Sequence, residues 1–146
     1  MNLISKHFFS KVLPAVLLAG GIAVSSATPA SAENKGILLA PGETLFRNDQ
    51  LTNAPYSLRM QTDGNLVLYR NSTACGASHT SGRDNNKAIM QRDGNFVIYN
   101  DSGRAIWQSN TTGTSFAQAR AVLYQSGKFA IVGAGATGGY KQIFSC

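Results

Sequence analysis

The stretch Gln61-Thr62-Asp63-Gly64-Asn65-Leu66-Val67-Leu68-Tyr69 returns thirty positions later as Gln91-Arg92-Asp93-Gly94-Asn95-Phe96-Val97-Ile98-Tyr99. Both copies read Q-x-D-x-N-x-V-x-Y, with a shared glycine after the aspartate. A repeated strand needs only alternating apolar residues. Repetition of the same Gln, Asp, Asn and Tyr asks for a second reason. The pattern therefore implies a fold built from copies, each carrying a polar site.

Around the repeat, short runs rich in Val, Ile, Leu, Tyr and Phe alternate with clusters of Gly, Asn, Asp, Ser and Thr. The runs are 36–40, 44–46, 57–62, 66–70, 87–92, 96–100, 105–108, 121–125 and 128–132. Helical periodicity is nearly absent after residue 32, and the spacing of turn signals predicts an all-β domain. Asp63-Gly64 and Asp93-Gly94 predict tight hairpins. A three-residue loop, Asp63-Gly64-Asn65 with Asn65 left-handed, puts Gln61, Val67 and Tyr69 on one face, with Asp63 and Asn65 at its rim. The alternate residues Met60, Leu66 and Leu68, and Met90, Phe96 and Ile98, then form the core face. Amides and carboxylates are costly to bury unpaired, so the polar face is expected to be exposed or to line a shallow pocket. Carboxylate, amide and phenol together suit a polyhydroxylated ligand, and a small valine leaves room for the C–H face of a sugar ring.

The segment before the repeat reads as a secretory signal peptide over residues 1–32: basic Lys6 and Lys11, an apolar run from Val12 to Val24, and the small-residue cleavage site Ala30-Ser31-Ala32. The run is short for a spanning helix, which takes about 20 residues, so no membrane insertion is expected. The mature domain would be residues 33–146, small enough for one domain. Of the formal net charge of +6, Lys6 and Lys11 supply two. The remaining basic residues are scattered, which argues against nucleic acid. The two cysteines, Cys75 and Cys146, suggest a disulfide in an exported chain. It is either an intrachain bridge closing a loop of roughly 70 residues or a bridge between chains. Two cysteines and the single mature histidine, His79, make no metal cluster. Asp63-Gly64-Asn65 lacks the further carboxylates of a calcium loop. No cofactor is called for.

The Q-x-D-x-N-x-V-x-Y motif resembles the sugar site of the bulb-type, snowdrop-agglutinin-like lectins. Leu39-x-Pro41-Gly42-x-x-Leu45 resembles that family's opening strand and turn, and Ala105-Ile106-Trp107-Gln108-Ser109-Asn110-Thr111 the segment after its motif. The resemblance runs from about Asn34 to the C-terminus. It implies a β-prism II of three four-stranded antiparallel sheets with pseudo-threefold symmetry. It also implies mannose as ligand, bound through hydroxyls by Gln61, Asp63, Asn65 and Tyr69 with Val67 against the ring. Gln91, Asp93, Asn95, Tyr99 and Val97 would repeat those roles.

A third copy, Tyr124-Gln125-Ser126-Gly127-Lys128-Phe129-Ala130-Ile131-Val132, keeps the apolar rhythm and the turn glycine but none of the polar residues. Two working sites are therefore expected. Counting offsets from the motif, Ala77 and Tyr140 stand where the second copy has Trp107, so an asymmetric core is expected, with Trp107 in it. An enzyme is not indicated: a glycosidase sets two carboxylates across one bond, whereas Asp63 and Asp93 lie in separate repeats. The expected partners are mannose-containing glycans of cell surfaces or polysaccharides, with avidity raised by two sites and by a homodimer. Alternative readings are a lectin-like toxin or bacteriocin, or a defence protein, that uses mannose for targeting, and a protein-interaction prism with vestigial sites.

Overall fold

The computed structural model describes residues 31–82 and 86–146. The leader read over residues 1–32 lies outside the described residues except for its last two. Twelve strands are present among the described residues: β1 (Leu38–Leu39), β2 (Thr44–Leu45), β3 (Gln50–Asn53), β4 (Tyr56–Met60), β5 (Leu66–Arg70), β6 (Thr73–Ala77), β7 (Lys87–Met90), β8 (Phe96–Tyr99), β9 (Ala105–Gln108), β10 (Arg120–Leu123), β11 (Lys128–Val132) and β12 (Tyr140–Ser145). They form three antiparallel four-stranded sheets, ordered β3-β4-β5-β6, β2-β7-β8-β9 and β1-β10-β11-β12. The N-terminal segment thus gives its first three strands to three different sheets and ties them together.

The three motif copies occupy equivalent hairpins, β4–β5, β7–β8 and β10–β11. Their inward residues alternate with the outward ones, as strand geometry requires. Leu58, Met60, Leu66 and Leu68, then Ala88, Met90, Phe96 and Ile98, then Ala121, Leu123, Phe129 and Ile131, all have no exposed surface. Leu39, Leu45 and Leu51, six residues apart, add one buried leucine from each opening strand. One apolar cluster therefore fills the prism axis, as the alternation predicts. The prism of three sheets also matches the architecture expected from the resemblance.

The hairpin turn differs from expectation in detail. Gln61 N–H donates to Asn65 O (2.9 Å), and Gly64 N–H to Gln61 O (3.1 Å). The loop is three residues long, but it is Thr62–Gly64, and the left-handed residue is Gly64 (φ 84°) rather than Asn65. A type I turn closed by a left-handed glycine is the favoured three-residue solution, and glycine takes that conformation with no Cβ penalty. Gln61 faces Asn65, so Gln61, Asn65, Val67 and Tyr69 still share the outer face.

β3 and β6 carry mostly polar or small residues, β12 opens on Tyr140-Lys141-Gln142 ahead of Ile143 and Phe144, and all three lie outside the runs expected from the pattern. Trp107 pairs with Ile98, and Gly76 pairs with Leu68 in the first sheet. Gly76, not Ala77, is thus the counterpart of Trp107, and Lys141, paired with Ile131, takes the place read for Tyr140. The cause is loop length. Arg70 pairs with Thr73 across two residues, whereas Asn100 N–H bonds Arg104 O across three.

The core asymmetry is real and sits at Gly76. A Cβ there would approach the Phe144 ring to 3.1 Å. Phe144 lies in the space that a side chain at Gly76 would claim. It packs 6.2 Å from Trp107 and 6.0 Å from Phe129 between ring centroids. Beside it, Cys75 and Cys146 form an intrachain disulfide, tying the edge strand of the first sheet to the end of the third. Gly76→Val should cost about 1–3 kcal/mol by overpacking, read as a lowered urea midpoint. The bridge spans 71 residues. Replacing both cysteines by serine should lower unfolding free energy by about 2–5 kcal/mol, in the same measurement against the oxidised wild type.

Candidate ligand-binding site

Each of the first two hairpins holds its polar residues by local hydrogen bonds. Asp63 Oδ1 accepts the Asn65 N–H (3.0 Å), and Asp93 Oδ1 accepts the Asn95 N–H (2.9 Å). This bond fixes each carboxylate across the turn and leaves its second oxygen without a partner among the described residues. Gln61 Nε2 donates to the Tyr69 hydroxyl, as Gln91 Nε2 does to Tyr99. The phenol proton and the amide oxygen stay available. Among the described residues no three His, Cys, Asp or Glu side chains group as a metal site.

Asn65 and Asn95 are anchored from the segments that follow β6 and β9. Asn65 Oδ1 accepts from Ser78 Oγ (3.0 Å) and Thr80 N–H (3.2 Å). Asn95 Oδ1 accepts from Ser109 Oγ (3.0 Å) and Thr111 N–H (3.3 Å). The same serines accept the N–H of Leu66 and Phe96, and the threonines donate to Gly64 O and Gly94 O (2.7 Å each). Ser-x-Thr therefore pins turn, strand and asparagine together. Sequence reasoning missed this role. Its signal was the recurrence of Ser-x-Thr at 78–80 and 109–111, displaced by thirty-one residues rather than thirty because of the longer second turn.

The structure brings each candidate set together on one outer face. Gln61 and Tyr69 are half-buried and Asp63 is exposed, as are their counterparts Gln91, Tyr99 and Asp93. Asn95 is nearly covered, while Asn65 is half-buried. Val67 and Val97, expected to leave open space, are 4% and 2% exposed. Arg59 and Ala77 flank Val67 across the sheet, and Ile89 and Gln108 flank Val97. The valines form a floor rather than an open platform.

The faces are not identical. Asn95 Nδ2 donates to Gln108 Oε1 (3.0 Å), whereas the first hairpin has Ala77 there. Arg59 stacks over Tyr69, 5.1 Å from the ring centroid, and its Nε donates to Ser57 Oγ (3.0 Å). At the third hairpin, Tyr124, Ser126, Lys128, Ala130 and Val132 take the five places, with the turn intact: Tyr124 N–H to Lys128 O, 2.8 Å. It lacks the carboxylate, the amides and the phenol at their positions.

Carboxylate, amides and phenol around an apolar floor, twice, describe a hydroxyl-reading surface. The chain is 42% identical over 98 residues to a mannose-specific lectin of Aloe arborescens, a match spanning 66% of this chain and 89% of the relative. The chain belongs to the bulb-type, monocot mannose-binding lectin family. Solved structures agree with that membership. A monomeric mannose-binding lectin of Gastrodia elata superposes with a TM-score of 0.61 at 40% identity, over 65% of this chain and 86% of that one. Snowdrop (Galanthus nivalis) agglutinin, in complex with methyl-α-D-mannoside, gives 0.64 at 35% identity, over 68% and 91%. No protein-family model matches the chain. The fold is the β-prism II of these lectins, and the family is one of carbohydrate-binding proteins, not enzymes.

Ser78→Ala and Ser109→Ala should each lower stability by about 1–3 kcal/mol, since each strands a buried backbone N–H. Thermal denaturation of the two single variants checks this, and a serine whose loss leaves the melting midpoint unchanged would contradict the pinning role.

Proposed function

We propose that this lectin is an exported mannose-binding protein with two working sites, at Gln61–Tyr69 and Gln91–Tyr99. The observation that carries the reading is the repeated constellation itself: the same five side chains on two hairpins of one prism, with the Gln–Tyr, Asp–Asn and Ser–Asn hydrogen bonds common to both. The free carboxylate oxygen of Asp63 or Asp93 accepts from sugar hydroxyls, the Gln amide oxygen accepts, and the Tyr hydroxyl donates. Val67 and Val97 form the apolar floor. The aloe relative is named mannose-specific, and the snowdrop structure holds a methyl mannoside. These support mannose, or mannose-terminated glycans of cell surfaces and polysaccharides, as the ligand. The third hairpin, without the polar set, is a structural copy.

Recognition rests on hydrogen bonds exchanged with water. The net gain for each is about 0.5–1.5 kcal/mol, so a single site is weak. Two sites on one chain raise avidity for a clustered glycan, and dimerisation would raise it further. Export rests on the signal-peptide pattern of residues 1–32, and the Cys75–Cys146 bridge suits an oxidising compartment.

The test is a glycan array on residues 33–146, comparing wild type with Asp63→Ala/Asp93→Ala. Mannose-terminated glycans should be retained by the wild type and lost by the folded double variant. Undiminished binding by that variant would overturn the two-site assignment.

A further inference from the structure

The two sugar-site hairpins differ on the side facing the N-terminal segment, and the difference is complementary. Asn48 N–H bonds Met60 O (2.8 Å) beside the first hairpin, and Gly42 N–H bonds Met90 O (2.6 Å) beside the second. Asn48 and Gly42 thus hold equivalent places, as do Thr62 and Arg92 in the turns. At the second hairpin the Arg92 guanidinium lies against Gly42: a Cβ built on Gly42 would sit 3.4 Å from Arg92 Nε. Arginine fills the space that the glycine leaves. At the first hairpin Thr62 is too short to do so. A depression of about 370 Å³ remains there, lined by Asn48, Arg59, Gln61, Thr62 and Asp63.

We infer that the first hairpin carries an extended site, in which this depression takes the second sugar unit of an oligosaccharide whose terminal unit occupies the Gln61–Tyr69 set. The inference rests on the sugar-binding reading above and adds a difference between the two sites. Gln61 and Asp63 belong both to the motif and to the wall of the depression, so the two subsites are contiguous. The volume is within the ~300–1,000 Å³ range of small-molecule sites.

Arg59 is the main reading residue of the added subsite. Its Nε is held by Ser57, and its guanidinium carbon lies over the Tyr69 ring. The two terminal nitrogens project donors without an ion-pair partner among the described residues. A guanidinium fixed in this way loses little freedom when it binds a hydroxyl or ring oxygen. Asn48, exposed, supplies an amide from the opposite bank. The second hairpin has Ile89 in place of Arg59 and Gly42 in place of Asn48, with Arg92 closing the gap. Its Asn95 amide is also already bonded to Gln108, whereas Asn65 Nδ2 has no partner among the described residues. The second site is left with a terminal monosaccharide.

The test isolates each site in the intact domain, using Asp93→Ala for the first alone and Asp63→Ala for the second alone. Calorimetry compares methyl-α-mannoside with the α1-2, α1-3 and α1-6 mannobioses. With the first site alone, at least one disaccharide should bind roughly tenfold tighter than the monosaccharide, the return expected from one or two added hydrogen bonds. With the second site alone, the ratio should stay near one. Adding Thr62→Arg, which copies the filled geometry, or Arg59→Ile should bring the first-site ratio towards one. A disaccharide gain that is equal at both sites, absent from both, or untouched by either added substitution would overturn the inference while leaving the mannose reading in place. No methyl-α-mannoside binding by wild type would instead remove that reading, and the inference with it.

Discussion

Leu58, Met60, Leu66 and Leu68 occupy one face of a sheet that cannot cover them by itself. The same is true of the equivalent residues in the other two sheets. Each buried aliphatic or aromatic side chain contributes about 1.5–3 kcal/mol, and that gain is available only when all three inner faces meet at one axis. Closure of the prism is thus the constraint on which the remaining structure depends. It fixes the register of every hairpin, because a one-residue slip would turn the apolar set outward. With the inner face committed, the outer face of each hairpin is free to vary. Two copies present amide, carboxylate and phenol outward, and the third presents Tyr124, Lys128 and Val132 without disturbing its core residues Phe129 and Ile131.

Much of this was legible in the sequence because the hairpin signals are local. Alternation assigns Leu66 and Leu68 inward and Val67 and Tyr69 outward from four consecutive residues. Asp-Gly marks the turn, and the repeat marks the site. The errors came where local signals are shared by neighbouring residues or cross between elements. Asn65 and Gly64 both accept a left-handed conformation, and only the backbone bond from Gln61 to Asn65 decides between them. Counting eight residues from the motif misplaces the first-sheet counterpart of Trp107, since it assumes equal turns where one is a residue longer. β3 and β6 escaped because their pairing partners, not their own composition, make them strands, and β12 because Lys141 and Gln142 interrupt the apolar run before Ile143 and Phe144.

The site shows the same division. The ten candidate residues could be named from the repeated motif and its resemblance, and a three-residue loop is what brings Gln, Asn, Val and Tyr of each copy to one face. Their support could not be read so directly. Ser78 and Ser109 work through hydrogen bonds to a hairpin a dozen residues away, and Ser-x-Thr is a common tripeptide in a chain rich in both residues. Arg59 carries no motif signal at all. Its role emerges only from its register opposite Val67 and its placement over Tyr69.

Gly76 shows how the divergence of copies is accommodated. Strict threefold symmetry would place three large side chains at one end of the axis, where Trp107 and Phe144 already lie 6.2 Å apart. A glycine in the first sheet removes one of them, and Phe144 from the third sheet moves over its backbone. The loss of a side chain weakens the first sheet's hold on the core, since glycine contributes no apolar surface there. The neighbouring Cys75 joins that edge to Cys146 covalently. Adjacent positions on one strand thus carry the glycine that admits Phe144 and the covalent link to the third sheet. The outer face of the same sheet is independent of that exchange, because Arg59, Thr62 and the Asn65 amide nitrogen, which has no partner among the described residues, lie outside the core cluster.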